Sequence, residues 1–447
     1  MMKAALHNLG CKVNAYETEV MEQLLIENGF EIVDFGDIAD VYVINTCSVT
    51  NIADRKSRQM IHQAARRNPD AIIVAAGCYV QTSKEEAESD PDIDIIIGNN
   101  EKNRIVELLN ECIAKKRESG SFAVSGIHDL THEITYEDML LKKTMEHTRA
   151  FIKVQDGCNQ FCTYCIIPYA RGRVRSRSID DVLREVELLV KSGVKEVVLT
   201  GIHVSSYGVD TGSSLIELIE ALNAVKGLER IRLSSLEPRI ITDEFVTRLS
   251  RVDKICPHFH LSLQSGSDSV LARMNRKYDT AEYEKCCKRL RETFTHPAIT
   301  TDIICGFPQE TDEEFAETCE FVKRIEFFET HLFKYSKRKG TVAAGMTGQI
   351  VEAVKAERSH ILSDIQSEYK RKFMSYYIGC EVEILVEDKE VIDGKTYYVG
   401  LNKEYVRILI PEEDYQGEVN EFVRVIPKGF LGDDLCTRGR FSGENRP

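Results

Sequence analysis

The chain has no tryptophan and no apolar run near the ~18 residues that cross a bilayer, so no membrane span is expected. It also lacks an excess of positive charge. Its 72 acidic residues outnumber 58 Lys and Arg, giving a net charge of −14, which argues against coating nucleic acid by bulk charge. There is no repeat of fixed period and no low-complexity tract. Met1–Lys12 turns polar at His7–Asn8 before an apolar signal core forms, so no export signal and a cytoplasmic location are expected. In such a reducing compartment thiolates bind metal or do chemistry more often than they form disulfides. A hydrophobic content of 43% with 29% charged residues excludes a disordered or collagen-like chain. The 447 residues imply two to four domains at roughly 100–200 residues each. What is present in number is cysteine, with 14 copies.

Residues 1–115 alternate short apolar runs (Lys3–His7, Val41–Asn45, Ile72–Ala76) with amphipathic stretches (Tyr16–Asn28, Ile52–Arg67), the pattern of a parallel α/β sheet. Residues 116–147 are charged and aperiodic and read as a linker. From 148 to 376 the alternation resumes, with strands expected at Phe151–Gln155, Glu196–Thr200, Arg230–Ser234, His258–Leu263, Thr300–Cys305 and Thr330–Phe333. Six β/α units predict a full or partial (β/α)6 barrel. Residues 377–447 are β-rich with Gly and Asp between the runs, as in a small all-β barrel.

Cys158, Cys162 and Cys165 follow an expected strand at C-x₃-C-x₂-C spacing. A cubane iron–sulfur cluster takes thiolate at each iron, so three cysteines leave one iron open, as catalytic metal sites keep a vacant position. The alternative is a zinc knuckle, whose fourth ligand, His203 or Cys256, would have to arrive through folding. Cys11, Cys47 and Cys78 each sit just beyond a strand of the first domain. Parallel strands place such positions on one sheet edge, where three distant thiolates can converge. The alternative is three buried structural cysteines. The other eight read as core or surface residues.

The 158–165 triplet, with Tyr164 before its last cysteine, resembles the signature of the radical S-adenosylmethionine (radical SAM) enzymes. The resemblance implies a [4Fe–4S] cluster whose open iron chelates S-adenosylmethionine and cleaves it to a deoxyadenosyl radical. It further implies cofactor contacts from Thr200, Gly201, Ser234, Ser235, Glu237 and Gln264, although the Gly-Gly-Glu of many such enzymes is absent after the second strand. Asp302–Pro308 is similar to the strand on the adenine side. The second triplet beside the first looks like the methylthiotransferases, which hold an auxiliary [4Fe–4S] cluster in an N-terminal domain and end in a TRAM module. Gly10–Asn14 and Asn45–Asn51 are most similar to the branch acting on N6-threonylcarbamoyladenosine next to the anticodon of tRNA. Relatives acting on isopentenyladenosine carry Gln-Met-Asn after the first cysteine and Arg where this chain has Thr50. The implied reaction takes hydrogen from adenine C2 and delivers methylthio there, with tRNA as substrate and a low-potential donor such as flavodoxin or ferredoxin. Isopentenyladenosine in tRNA or a ribosomal protein remains an alternative substrate. A non-catalytic, metal-containing RNA-binding protein is the alternative of a different class.

RNA binding needs local basic patches. The arginines Arg171, Arg173, Arg175 and Arg177 follow the first cysteine loop, and Arg55 and Arg58 follow Cys47. These six are the RNA-contact candidates, with binding of the cofactor carboxylate an alternative role for one arginine of the loop. From Gly379 onward 9 basic residues face 15 acidic ones, so RNA contact there would need a strip such as Lys403, Arg407, Arg424 and Lys428.

Overall fold

The computed structural model describes residues 1–119, 124–144 and 148–438. In the first layer β1 (Lys3–Asn8), β2 (Glu31–Ile32), β3 (Val41–Thr46), β4 (Ile72–Gly77), β5 (Ile95–Ile97) and β6 (Val124–Gly126) form one parallel sheet in the order β2-β1-β3-β4-β5-β6. β3 and β4 are buried along their whole length, which explains their unbroken apolar sequence between helices on both faces. Helix α1 (Lys12–Glu27) starts immediately after Cys11 rather than at Tyr16. Helix α2 (Asn51–Arg67) is capped by the Thr50 hydroxyl, which accepts from the Ala53 amide.

The 116–147 stretch is not a free tether. Within it Val124–Gly126 supplies the edge strand β6, and Leu130, Met139 and Leu141 are buried. A strand this short, paired across a long sequence separation, leaves no periodic trace.

The second layer contains β7 (Arg149–Asp156), β8 (Arg175–Ser176), β9 (Glu196–Gly201), β10 (Arg230–Leu233), β11 (His258–His260), β12 (Ala298–Cys305) and β13 (Glu329–Lys334). Pairing runs β8-β7-β9-β10 and β11-β12-β13, with bridges Ile231↔Ile255 and Leu236↔Leu261 joining the two groups. All of these pairs are parallel except β7–β8. Among the described residues β13 does not pair back to β7, so the six-stranded barrel is partial. Tyr16 and Val20 of α1 belong to the barrel's own hydrophobic core.

The third layer, β14 (Val382–Ile392), β15 (Lys395–Leu401), β16 (Arg407–Pro411), β17 (Phe422–Val425), β18 (Gly429–Leu431) and β19 (Asp434–Cys436), is a largely antiparallel sheet around Ile384, Val386, Ile408 and Leu435. It docks beneath the barrel, at the beginnings of the strands. Arg230 donates to the Leu401 carbonyl at 2.9 Å, Arg232 to the Lys403 carbonyl at 2.9 Å, and Arg149 pairs with Glu387 at 2.8 Å. No helix among the described residues is long and apolar enough to cross a membrane.

The first two layers are joined by buried charge. Glu17 of α1 meets Arg171 at 2.8 Å, Lys153 of β7 at 2.8 Å and Lys102 at 2.9 Å, and all four side chains are essentially inaccessible. Asp156 shares Lys153 at 2.7 Å and Arg171 at 3.2 Å. Burial alone would raise the Glu17 carboxyl, but the Arg171, Lys102 and Lys153 cations hold it well below the usual carboxylate range. A depressed carboxyl pKa stabilises the fold above its unfolded value of about 4.3, and that contribution is lost as pH falls from there toward the folded value. Glu17→Gln is therefore expected to cost about 3–5 kcal/mol at neutral pH by leaving buried cations unpaired, with a smaller effect in acid. Urea denaturation at pH 7 and pH 4 checks this, and a neutral-pH loss below about 1 kcal/mol would show that the network does not hold the layers together.

Candidate functional site: one cleft, two cysteine triplets

The register of the first sheet aligns Asn8, Asn45 and Ala76 on adjacent strands, so Cys11, Cys47 and Cys78 leave the same edge together. Gly10 has φ +118°, and a Cβ there would lie 2.9 Å from Cys47 Cβ and 3.0 Å from its Sγ. Only glycine lets the first loop approach the second cysteine this closely. Asn14 secures the edge, donating to the carbonyls of Leu9 at 2.7 Å and Thr46 at 2.9 Å. Asn99 donates to Cys78 Sγ at 3.6 Å and to the Ala170 carbonyl of the barrel layer at 2.8 Å.

The other triplet lies on the loop after β7. Gly157, at φ +71°, is required there because a Cβ would fall 1.8 Å from the Arg173 carbonyl oxygen. The loop is clamped to the segment before Tyr278. Thr163 N donates to Met274 O at 3.0 Å, and Asn275 Nδ2 donates to Phe161 O at 3.0 Å.

A cleft of about 400 Å³ brings Cys11 together with Cys158, Cys162 and Cys165. Tyr164, Gly201, Ser235, Glu237 and Gln264 also line it. Thr200 and Ser234, the neighbours of Gly201 and Ser235, are buried and are not among the residues lining the cleft, and the Ser234 hydroxyl has no hydrogen-bond partner. His203 faces the same cleft with Nδ1 on Ser206 Oγ at 2.6 Å and Nε2 unpartnered. Burial, then Arg276 and Arg239, lowers His203 to about 4, so it is neutral at pH 7.

All fourteen cysteines are free. Burial pushes the Cys47 thiol up to about 12, Cys158 to about 11 and Cys165 to about 12, and it raises Cys11, which is solvent-accessible at the cleft wall but closely surrounded. Each triplet has one arginine opposing this rise, Arg171 fully buried and Arg276 half-buried. Arg171 acts on Cys11 and Cys47, while Arg276 acts on Cys158 and Cys165 and donates to Cys162 Sγ at 3.3 Å. Thiolates gathered on a metal cluster carry negative charge that such cations offset.

Single-ion binding fits poorly. Zn–S bonds of about 2.3 Å place neighbouring sulfurs about 3.8 Å apart. Among the described residues, the group whose ligand atoms all lie within 4.8 Å of one another is His62, Asp90 and Asp92, not either thiol triplet. Wider-set thiols suit a four-iron cubane.

The RNA-contact expectation needs correction for three arginines. Arg171, Arg175 and Arg177 are buried and satisfy Glu17, Asp156 and Glu185. A basic run shows its charge in sequence but not the acids it folds against. Arg173 is exposed and lies over the Phe161 ring at 4.6 Å, and Arg55 is exposed. Arg58 is half-buried over Tyr79 at 5.6 Å and lines an adjoining groove with Arg338, Lys339 and the exposed Tyr169. In the last layer Arg407 pairs with Glu390 and Asp434, and Arg424 pairs with Glu381, so the expected basic strip is partly neutralised. Arg276 is not distinguishable in sequence, since it lies far from the cysteines along the chain and in no motif.

Reconstituted protein is expected to hold about eight irons per chain with matching sulfide, and Cys47→Ala or Cys162→Ala about four each. Anaerobic iron and sulfide analysis checks this, and zinc without sulfide would contradict it.

Residues 152–322 match the radical SAM superfamily, and residues 3–98 match the uncharacterized protein family UPF0004. The chain is 41% identical to the threonylcarbamoyladenosine tRNA methylthiotransferase MtaB of Bacillus subtilis (strain 168), over 96% of this chain and 95% of that one. It is 40% identical to the protein of the same name from Aquifex aeolicus (strain VF5), over 95% and 100%. A tRNA-2-methylthio-N(6)-dimethylallyladenosine synthase of Acetivibrio thermocellus is 34% identical over 88% and 82%. Among solved structures, the radical S-adenosylmethionine methyltransferase TsrM of Kitasatospora setae superposes with TM-score 0.56 at 15% identity, covering 74% of this chain and 73% of that one, a likeness of fold. The cleft, lined by one triplet and by Cys11 of the other, agrees with these relatives: the chain belongs to the radical SAM methylthiotransferase family.

Proposed function

We propose that the protein is a tRNA methylthiotransferase that converts N6-threonylcarbamoyladenosine beside the anticodon to its 2-methylthio derivative. In this reading it works in the cytoplasm and draws electrons from a low-potential donor such as flavodoxin or ferredoxin. The observation that carries the reading is the presence of Cys11, from one triplet, in the same cleft as Cys158, Cys162 and Cys165. Full-length relatives named for this substrate support it.

Cys158, Cys162 and Cys165 would hold one [4Fe–4S] cluster, and Cys11, Cys47 and Cys78 the other. When bound, the first with S-adenosylmethionine supplies the hydrogen-abstracting chemistry and the second supplies methylthio. The chain's own residues orient and enclose. Gln264 is held in a left-handed conformation, φ 75°, by exchanging backbone bonds with β12 (Gln264 N to Asp302 O at 2.8 Å, Ile304 N to Gln264 O at 2.9 Å), which aims its side chain at the cleft. Glu237 is fixed by Arg239 at 2.6 Å and by Ser205 Oγ on its amide at 2.8 Å. With Ser235 and Gly201 they form the polar wall suited to a ribose and an amino acid group. Gly201 admits no Cβ without meeting the Gln155 carbonyl at 2.9 Å. No acid–base pair is needed, because neither acid nor base can activate an adenine C2–H bond.

Outside the cleft, Arg173, Phe161 and Tyr169 form a cation–ring–ring series, with Phe161 and Tyr169 edge-on at 6.0 Å. Such a series suits bases splayed from a loop. Replacing Arg55, Arg173 and Lys339 by Ala is expected to weaken tRNA binding and to lower the salt slope by about 0.7–0.9 for each phosphate no longer neutralised. Salt-dependent binding checks it, and an unchanged slope would move the RNA elsewhere.

Nucleosides from cells lacking the protein should lose 2-methylthio-threonylcarbamoyladenosine and accumulate the unthiolated form, with the isopentenyl derivative unchanged. Mass spectrometry reads this directly, and loss of the isopentenyl product instead would overturn the substrate assignment.

A further inference from the structure

The short helix Asp268–Arg273 ends against the cysteine loop of the barrel, and the clamp between them has several points. Thr163 donates from its amide to Met274 O at 3.0 Å and from its hydroxyl to Arg273 O at 2.9 Å. Asn275, left-handed at φ 61°, returns the contact by donating to Phe161 O at 3.0 Å. The chain then turns Arg276 into the cleft wall. Its guanidinium is fixed from three sides. Nη1 donates to Cys162 Sγ at 3.3 Å, Nη2 to Ser262 O at 3.3 Å, and Nε to Tyr278 Oη at 2.9 Å. Tyr278 is itself buried, has its ring centre 4.8 Å from the guanidinium carbon, and donates to Leu263 O at 2.9 Å.

Apart from the thiol, the hydrogen-bond partners of Arg276 are neutral, and among the described residues no carboxylate lies at ion-pair distance from it. Arginine stays protonated in proteins, so an uncompensated positive charge rests directly against one sulfur. Among the described residues, no other thiol of the two triplets has a charged donor in hydrogen-bond contact. Cys158 Sγ accepts from the Gln160 amide at 3.5 Å, and Cys78 Sγ accepts from Asn99 Nδ2 at 3.6 Å. Arg171, which acts on the other triplet, directs its own hydrogen bonds to Glu17 and Asn14, both at 2.8 Å, and pairs with Asp156 at 3.2 Å. The charged N–H···S contact is thus confined to the 158–165 triplet.

Resting on the two-cluster reading above, we propose that Arg276, acting through Cys162, is a positioning residue that sets the reduction potential of the cluster held by Cys158, Cys162 and Cys165. A four-iron cluster on three thiolates carries one net negative charge when oxidised and two when reduced. In the reduction one electron leaves a low-potential flavin or iron–sulfur donor and enters the cluster, and no bond forms or breaks. Hydrogen bonds to cluster sulfurs and nearby charge tune this equilibrium, and a cationic donor favours the more negative state. Arg276 therefore raises the potential and lets a given donor reduce a larger share of this cluster. The other cluster, whose sulfur has a neutral donor, does not depend on it.

Redox titration of the reconstituted full-length protein without S-adenosylmethionine, followed by electron paramagnetic resonance, tests this. Cys47→Ala leaves the first cluster alone and Cys162→Ala leaves the other alone, so each signal is assigned. In the Cys47→Ala protein, Arg276→Met should lower the reduced-to-oxidised ratio at a fixed potential by about tenfold, a shift of about 59 mV for one electron. Arg276→Lys, which keeps the charge, should show a smaller fall. In the Cys162→Ala protein Arg276→Met should leave the potential unchanged. A change below about twofold, or about 18 mV, in an Arg276→Met protein of full iron content overturns the proposal, as does an equal shift in both clusters. If Arg276→Met does not hold its iron, Arg276→Gln, of similar length and uncharged, is read by the same criterion. Failure of both to hold iron marks a purely structural role and also overturns the proposal. Iron and sulfide in the Cys47→Ala protein separate the two readings. Without about four irons and matching sulfide the two-cluster reading fails first, whereas with them and no shift only the role of Arg276 fails.

Discussion

The site depends on one buried ionic junction. Glu17 sits on the helix that begins at Lys12, and its carboxylate is shared by Lys102 of its own layer and by Lys153 and Arg171 of the barrel. Charges this deeply buried tolerate little displacement, because each lost partner leaves an ion in a poor solvent. The junction therefore fixes α1, and with it Cys11, against the barrel. Tyr16 and Val20 add apolar contact on the same helix, and Asn99 ties the Cys78 side of the sheet edge to Ala170. The sheet and the barrel are thereby set so that their cysteine edges open into one cleft.

The same junction supplies electrostatics. Arg171 ends the short helix after the first cysteine loop, yet its guanidinium reaches back to Glu17 and Asn14 and opposes the rise of the Cys11 and Cys47 thiols. Arg276 does the same for the other triplet from the opposite wall. Each group of thiols thus has a cation beside it, and the two groups meet at the cleft through Cys11 on one side and Cys158, Cys162 and Cys165 on the other. The cations oppose, without overturning, the rise that burial imposes on the thiols, and they offset the negative charge that thiolates carry once a cluster is bound.

Much of this is legible in the chain. The cysteine triplets announce themselves by spacing in one case and by strand-end placement in the other, because a parallel sheet gives sequence-distant positions a common edge. The α/β layers follow from apolar periodicity, and the β-rich tail follows from its turns. What stays hidden is the pairing of charges. Arg171, Arg175 and Arg177 look like a surface patch until Glu17, Asp156 and Glu185 are seen folded against them. Arg276 belongs to no motif and becomes part of the site through the Asn275–Phe161 clamp. Residues 124–126 read as linker because a three-residue strand borrows its stability from β5 rather than from its own sequence.

Two thiol triplets, held by the Glu17 junction, serve one cleft. The most direct test is the magnetic interaction between the two reduced clusters in the reconstituted protein, read by pulsed electron paramagnetic resonance. A single, narrowly distributed spin–spin coupling is the predicted result. Two clusters that relax as isolated centres, with no measurable coupling, would contradict it.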